Sequence, residues 1–127
     1  MMRFVWMVGI LGLSGAMLGS APTTVKGVIM DKACSSKAEE RILPTGIVGG
    51  MVVAEAHERQ CALMPACQKS GYGIFTFDQK FLAFDAEGNK KALEAIKASK
   101  KLVDLEAEVT GEINGDTIKV ATLKMVQ

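Results

Sequence analysis

Apolar and polar residues alternate most regularly from Leu102 to Ile113. Val103, Leu105, Ala107 and Val109 fall on one side, Asp104, Glu106 and Glu108 on the other. That period of two predicts a half-buried β-strand. Asn114-Gly115, the dipeptide best suited to a two-residue hairpin turn, comes next. Asp116 to Val126 reads as the returning strand, and a slip of phase between Val120 and Leu123 predicts a bulge. Upstream, Thr23 to Asp31 (TTVKGVIMD) predicts a first strand, with Val25, Val28 and Ile29 as its apolar content and a bulge or bend at Gly27. Tyr72 to Phe77 and Phe81 to Phe84 are short aromatic-rich runs joined by Asp78-Gln79-Lys80, which predicts a second hairpin.

Between these runs the signals are helical. Lys32 to Glu40 is polar and reads as a loop or a short helix, and Leu43-Pro44-Thr45-Gly46 breaks the pattern. Ile47 to Met64 predicts a helix, weak at Gly49 and Gly50, firmer from Met51, and ended by Pro65. Lys90 to Lys100 follows Gly88-Asn89 and predicts a helix with Leu93 and Ile96 facing inward. The fold class expected is all-β to α+β. Five strands, with a helical insertion after strand 1 and a helix between strands 3 and 4, are the order of an OB-like barrel. The alternative is an open α+β sheet with both helices on one face.

The N-terminal block alters the count of residues available to that domain. Arg3 is followed by a charge-free stretch, Phe4 to Gly19, that contains four glycines, and the first lysine is Lys26. A short positive region, an apolar stretch and then small residues form the pattern of a secretory signal peptide, with cleavage after Ala16 or Ala21. The stretch is short for a membrane span of about 20 apolar residues. The expected division is a signal peptide over 1–21 and one OB-like domain over 22–127. The expected location is periplasmic or secreted, with no membrane span once the signal is removed.

Of the 15 basic residues in the 127-residue chain, Arg3 leaves with the signal, so 14 basic residues face 14 acidic ones. A near-neutral domain lacks the positive footprint that phosphate backbones demand, so nucleic-acid binding is not expected. Tyr72, Phe75, Phe77, Phe81 and Phe84 are then read as core packing rather than as a base-stacking platform. Four of the eight methionines (Met1, Met2, Met7 and Met17) lie in or beside the signal. Met30, Met51, Met64 and Met125 remain and read as core filler.

Candidate chemistry rests on Cys34, His57, Cys61 and Cys67, spaced C-x22-H-x3-C-x5-C. His57 and Cys61 stand four apart and would share a helical face with Val53 and Met64. Three thiolates and one imidazole are a tetrahedral complement for zinc, and soft sulfur also suits Cu(I), with Met64 or Met30 as a further ligand. In an oxidising compartment the same cysteines pair instead. The candidates are Cys34–Cys61, Cys34–Cys67 and Cys61–Cys67, and Cys34–Cys67 is preferred because a bridge from Cys34 closes a longer loop, worth nominally about 3 kcal/mol. A thiol redox site is the third reading; no orienting third group is evident for it. Asp31 is placed to hydrogen-bond at the site.

Gly27 to Cys34 (GVIMDKAC), His57 to Cys61 (HERQC) and Val109 to Val120 (VTGEINGDTIKV) together resemble a group of small exported bacterial proteins of unknown function. The pattern of that group is a first strand ending in Asp-x-x-Cys, an His-x-x-x-Cys helix with one more cysteine, and a closing Val-x-Gly hairpin. Here five residues, Pro65 among them, separate the second and third cysteines. The resemblance implies an OB-like barrel with a cysteine-bearing insertion, and it implies no activity. The functional expectation is an exported, non-enzymatic binding or interaction module. Its Cys/His insertion is either stapled by a disulfide or holds a ligand. Its partner would be an envelope protein or small ligand, docked at Ile47 to Ala56 or bound at Asp31 and Met64. The alternatives are a zinc or copper protein using the Cys3His set, and a thiol redox protein. No cofactor other than such a metal is expected.

Overall fold

Strand β1 (Thr23–Asp31) forms where the alternation predicts it, and its second half is buried on both faces. The computed structural model describes residues 21–39 and 49–126. The expected signal peptide, the break at Leu43 to Gly46 and the start of the Ile47 helix lie outside them, apart from Ala21. After β1 come the helices α1 (Lys32–Glu39), α2 (Gly49–Glu55), α3 (Arg59–Ala62) and α4 (Pro65–Ser70). Then follow β2 (Tyr72–Thr76), β3 (Phe81–Phe84), α5 (Ala86–Ala98), β4 (Glu106–Asn114) and β5 (Thr117–Met125).

The five strands form one mixed sheet in the order β1-β2-β3-β5-β4. All neighbours are antiparallel except β3 and β5, which pair in parallel over Ala83↔Thr117 and Phe84↔Ile118. β1 also pairs with β4, from Thr23↔Gly111 to Val28↔Glu106, so the ring of strands closes on itself. An open sheet is thereby ruled out. Closure pairs the edges that a small sheet would otherwise expose. The β4–β5 hairpin turns at Asn114-Gly115, with Gly115 at φ +64°, and its register shifts where Thr110↔Thr122 gives way to Gly111↔Val120. Ala121 is the extra residue, inside the predicted slip.

The parity of β1 divides the core in two. Ile29 points into the ring with Ile74, Leu105, Val109 and Ile118. Val28 and Met30 point outward and are covered by Ala38 of α1, Met51 and Ala54 of α2, and Phe75 of β2. The helical insertion therefore roofs the outside of β1 and β2. Tyr72, Phe75 and Phe84 are buried, as core packing requires, whereas Phe77 is exposed.

Three predicted elements differ in extent. The helix expected over Lys90 to Lys100 begins earlier, at Ala86, because Asp85 caps it by accepting from Gly88 N at 3.1 Å. The strand expected from Leu102 starts at Glu106, and Asp104 just before it adopts φ +52°. The single helix expected over Ile47 to Met64 is broken into α2 and α3. Its freed backbone groups are taken by the segment before β4: Asp104 N donates to Glu55 O and Arg59 N to Leu102 O, both at 2.8 Å. Those two bonds supply, from elsewhere in the chain, partners that a continuous helix would have provided itself. Pro65 ends one helix and begins the next. Met64 before it is extended, and Pro65 stands at the first position of α4, where no amide donor is needed.

Candidate functional site

The site is built around the last residue of β1. Asp31 shares the inward parity of Ile29, and its side chain is 0% exposed. The chain leaves the strand there and enters α1 without a loop. Asp31 Oδ2 accepts from Cys34 N at 3.0 Å, a carboxylate capping the third residue of the helix. The N-terminal end of the helix dipole favours the negative charge. The other oxygen, Oδ1, lies 2.7 Å from His57 Nε2, and the His57 side chain is only 8% exposed. Burial alone would raise the Asp31 carboxyl. Hydrogen bonds from His57 and Cys34, with the charge of His57, outweigh it and hold the group below its ordinary value. An ionised carboxylate only accepts, so His57 Nε2–H is the donor. In the neutral ring, Nδ1 is then the nitrogen with the free lone pair.

Cysteines surround this pair, and all three are unbridged. Cys34 stands in the first turn of α1, Cys61 in α3 and Cys67 in α4. Donor atoms of Cys34, His57 and Cys61 lie within 4.8 Å of one another, and so do those of Asp31, Cys34 and Cys67. The four-residue Cys3His set expected from the sequence is thus divided. Cys67 belongs with Asp31 rather than with His57 and Cys61, and Cys34 is common to both groups. His57 and Cys61 meet for a reason other than the one expected. They are not four apart on a helix; His57 lies in the turn between α2 and α3. Met64, expected beside them, is 52% exposed at the N-cap of α4. Met30 packs in the outer core, against which Cys34 also rests.

Backbone contacts hold the cysteine-bearing helices together. Lys32 N donates to Gly71 O at 2.8 Å and Ala33 N to Ser70 Oγ at 3.2 Å, which ties the start of α1 to the end of α4. Tyr72 closes the floor, its hydroxyl donating to Ala62 O at 2.6 Å. Arg59 reaches across to the end of α5, donating from Nε to Ile96 O and from Nη2 to Lys97 O, both at 2.8 Å. Neither Tyr72 nor Arg59 stands out in the sequence as part of this region. Asp31 could have been recognised as a helix N-cap, since an acidic residue closing a strand before a helix-compatible run is a start signal.

The electrostatics keep the Cys34 and Cys67 thiols protonated. Burial, then the neighbouring Asp31 carboxylate, pushes Cys34 up to about 12. The same two causes raise Cys67, and burial with Asp31 and Cys67 pushes the Tyr72 hydroxyl up to about 12. A thiol nucleophile is activated by the reverse arrangement, a nearby cation that lowers its pKa. With a pKa near 12, roughly one Cys34 in 10⁵ is ionised at pH 7. In the reduced, metal-free protein, alkylation of Cys34 by iodoacetamide is therefore expected to be slow at pH 7 and to rise about tenfold per pH unit through pH 9. Mass spectrometry of the labelled peptide reads the rate, and a plateau near pH 8.5 would show an ordinary, solvated thiol.

Fold and site together define a small α+β domain with a closed ring of five strands and a buried Asp–His pair inside a cluster of cysteines. The chain matches no protein-family model, no curated protein and no solved structure. Among the described residues no helix is long and apolar enough to cross a membrane.

Proposed function

We propose that this protein is a small exported module that binds a thiophilic metal ion, zinc or Cu(I), through Cys34, His57 and Cys61. The observation that carries the reading is the convergence of two thiols and an imidazole, from α1, the α2–α3 turn and α3, within 4.8 Å. Asp31 supports it. A metal-binding histidine ordinarily donates its other ring nitrogen to a carboxylate, which fixes the ring and raises the basicity of the ligand nitrogen. The buried negative charge of Asp31 also favours a cation over the protons it displaces from the thiols. Sulfur and imidazole donors select zinc or Cu(I) rather than calcium or magnesium. The closed ring of strands with α5 between β3 and β4 agrees with an OB-like barrel. In this reading the barrel is a scaffold that holds the cysteine-bearing insertion at one end. Export rests on the N-terminal pattern and on the resemblance to small exported bacterial proteins.

Reduced, metal-free protein titrated with Zn²⁺ against a chromophoric chelator, and with Cu(I) against a Cu(I)-specific chelator, tests this reading and separates the two metals. One equivalent is expected to bind. Cys34→Ser and His57→Ala should each abolish stoichiometric uptake, while Cys67→Ser should retain it. Uptake of neither metal, or uptake indifferent to Cys34→Ser, would end the metal reading. The second reading is a partner-docking module stapled by a disulfide. It draws on the exposed apolar side chains of Val52 in α2 and of Leu102 and Val103 before β4, and it is the reading left standing if no metal binds.

A further inference from the structure

Cys67 is a nucleophilic side chain for which the proposed metal site has no use, and its position gives it one. It is 7% exposed, whereas Cys34, like Cys61, is half-buried, so a reagent from solution meets Cys34 before Cys67. The sulfurs of Cys34 and Cys67 lie within 4.8 Å of each other. The helices that carry them are clamped by the Lys32–Gly71 and Ala33–Ser70 hydrogen bonds, and Ser70 Oγ further donates to Cys67 O at 2.7 Å. A bridge requires the gap between the two sulfurs, at most 4.8 Å, to close to a sulfur–sulfur bond of about 2 Å. Cys34 is also the one residue common to both donor groups, so any bond made to its sulfur removes a ligand from the metal.

We propose that Cys67 is the resolving thiol of an oxidative metal-release step, in which a low-molecular-weight disulfide drives formation of a Cys34–Cys67 bridge. The inference rests on the metal-binding reading above. The Cys34 sulfur, deprotonated where it ligates the metal, attacks the disulfide RSSR; a Cys34–SR bond forms, the RS–SR bond breaks and one RS⁻ departs. The Cys67 thiol then attacks the Cys34 sulfur. The Cys34–Cys67 bond forms, and the second RS⁻ leaves with the proton that Cys67 gives up. Two electrons pass from the protein to RSSR. The metal ion, left with His57 and Cys61, dissociates with its oxidation state unchanged. Such a step makes metal retention a function of the thiol–disulfide poise outside the protein.

The test is an equilibrium titration of the zinc-loaded full chain across glutathione redox buffers. Released zinc is read with a chromophoric chelator, and cysteine pairing by peptide mapping without reductant. Zinc is expected to be released in step with a Cys34–Cys67 bridge and to be retained again on reduction. Cys67→Ser should bind zinc normally and need about tenfold more oxidising buffer to lose it, because its mixed disulfide is readily reversed by reduced glutathione. A Cys34–Cys61 bridge in the wild type, or an unshifted midpoint in Cys67→Ser, would overturn the proposal. Peptide mapping of the wild type decides the pairing even if the variant folds poorly. If no zinc binds at all, the metal reading fails, and mapping of the oxidised metal-free protein still shows whether Cys34 pairs with Cys67.

Discussion

Asp31→Ala is expected to lower the stability of the reduced, metal-free protein by about 3–5 kcal/mol, the summed cost of leaving the His57 ring and a helix amide without partners and of losing an N-cap. The residue serves three structures at once. It ends β1 inside the ring, caps α1 through Cys34 N, and accepts from His57 Nε2. Its removal leaves the His57 ring and one helix amide without their partners in a part-buried region. For a domain near 100 residues, that loss corresponds to a fall in Tm on the order of 15 °C or more. Asp31→Asn can keep the cap, worth about 1 kcal/mol, and should be milder. The sign of the pH dependence follows from the carboxyl's being held below its ordinary value of 3.8 in the folded state. The stabilisation is fully present above that value and is lost as the pH falls through the lower, folded-state value. Thermal unfolding followed by circular dichroism from pH 3 to pH 7 should show this acid-dependent part in the wild type and not in Asp31→Asn. A loss of only a few degrees in Asp31→Ala would mean that the pair is hydrated and contributes little. Metal affinity offers an independent readout: Asp31→Asn should weaken zinc binding about 10–100-fold, because the ring of His57 loses its orienting partner.

Gly27→Val is expected to prevent folding. At Gly27, β1 pairs with Thr76 of β2 on one side and Ala107 of β4 on the other, so it lies where the ring closes. A Cβ there would press on the carbonyl oxygen of Phe75, with Phe75 C at 2.7 Å and Thr76 Cα at 2.8 Å. These are backbone atoms of the adjacent strand and cannot rotate aside. Relief requires opening the β1–β2 ladder, and with it the roof of α1 and α2 over Phe75. Expression in soluble form and the far-ultraviolet spectrum check the outcome, which should be unfolded or insoluble protein. Gly115→Ala is the control. Gly115 has a positive φ but nothing within 4 Å of an added Cβ, so it should cost only about 1 kcal/mol. A Gly27→Val protein with native unfolding behaviour would show that the strands at the closure stand further apart than described.

Much of this fold was legible along the chain because it is specified locally. The alternation of Leu105, Ala107 and Val109, the Asn114-Gly115 turn and the aromatic runs ending at Phe84 are signals confined to a few neighbouring residues. The strands they predict are the strands observed, with shifted ends. Even the irregularity at Ala121 left a mark, because an inserted residue changes which side chains face the core. The boundary errors have local causes as well. Asp85 supplies a cap that starts α5 four residues early, and Leu102 and Val103 are apolar without being part of a ladder.

The candidate site was legible as a set of residue types and not as a geometry. Cys34, His57, Cys61 and Cys67 are conspicuous as residues that ligate or cross-link. Their grouping depends on a break in the Ile47–Met64 helix, and that break is stabilised by Leu102 and Asp104, some forty residues away. No periodicity within the insertion records a hydrogen bond from so distant a segment. Asp31 was visible only as an acid near a cysteine. Its pairing with His57 requires β1 to end inside the ring while the α2–α3 turn folds over that end. Local sequence thus determined the strands, the closing hairpin, α5 and the inventory of chemical groups, since each needs only neighbours and solvent contrast. The division of the cysteines about Cys34, the burial of Asp31 and the orientation of His57 were decided by long-range packing, which brings together groups that the chain keeps apart.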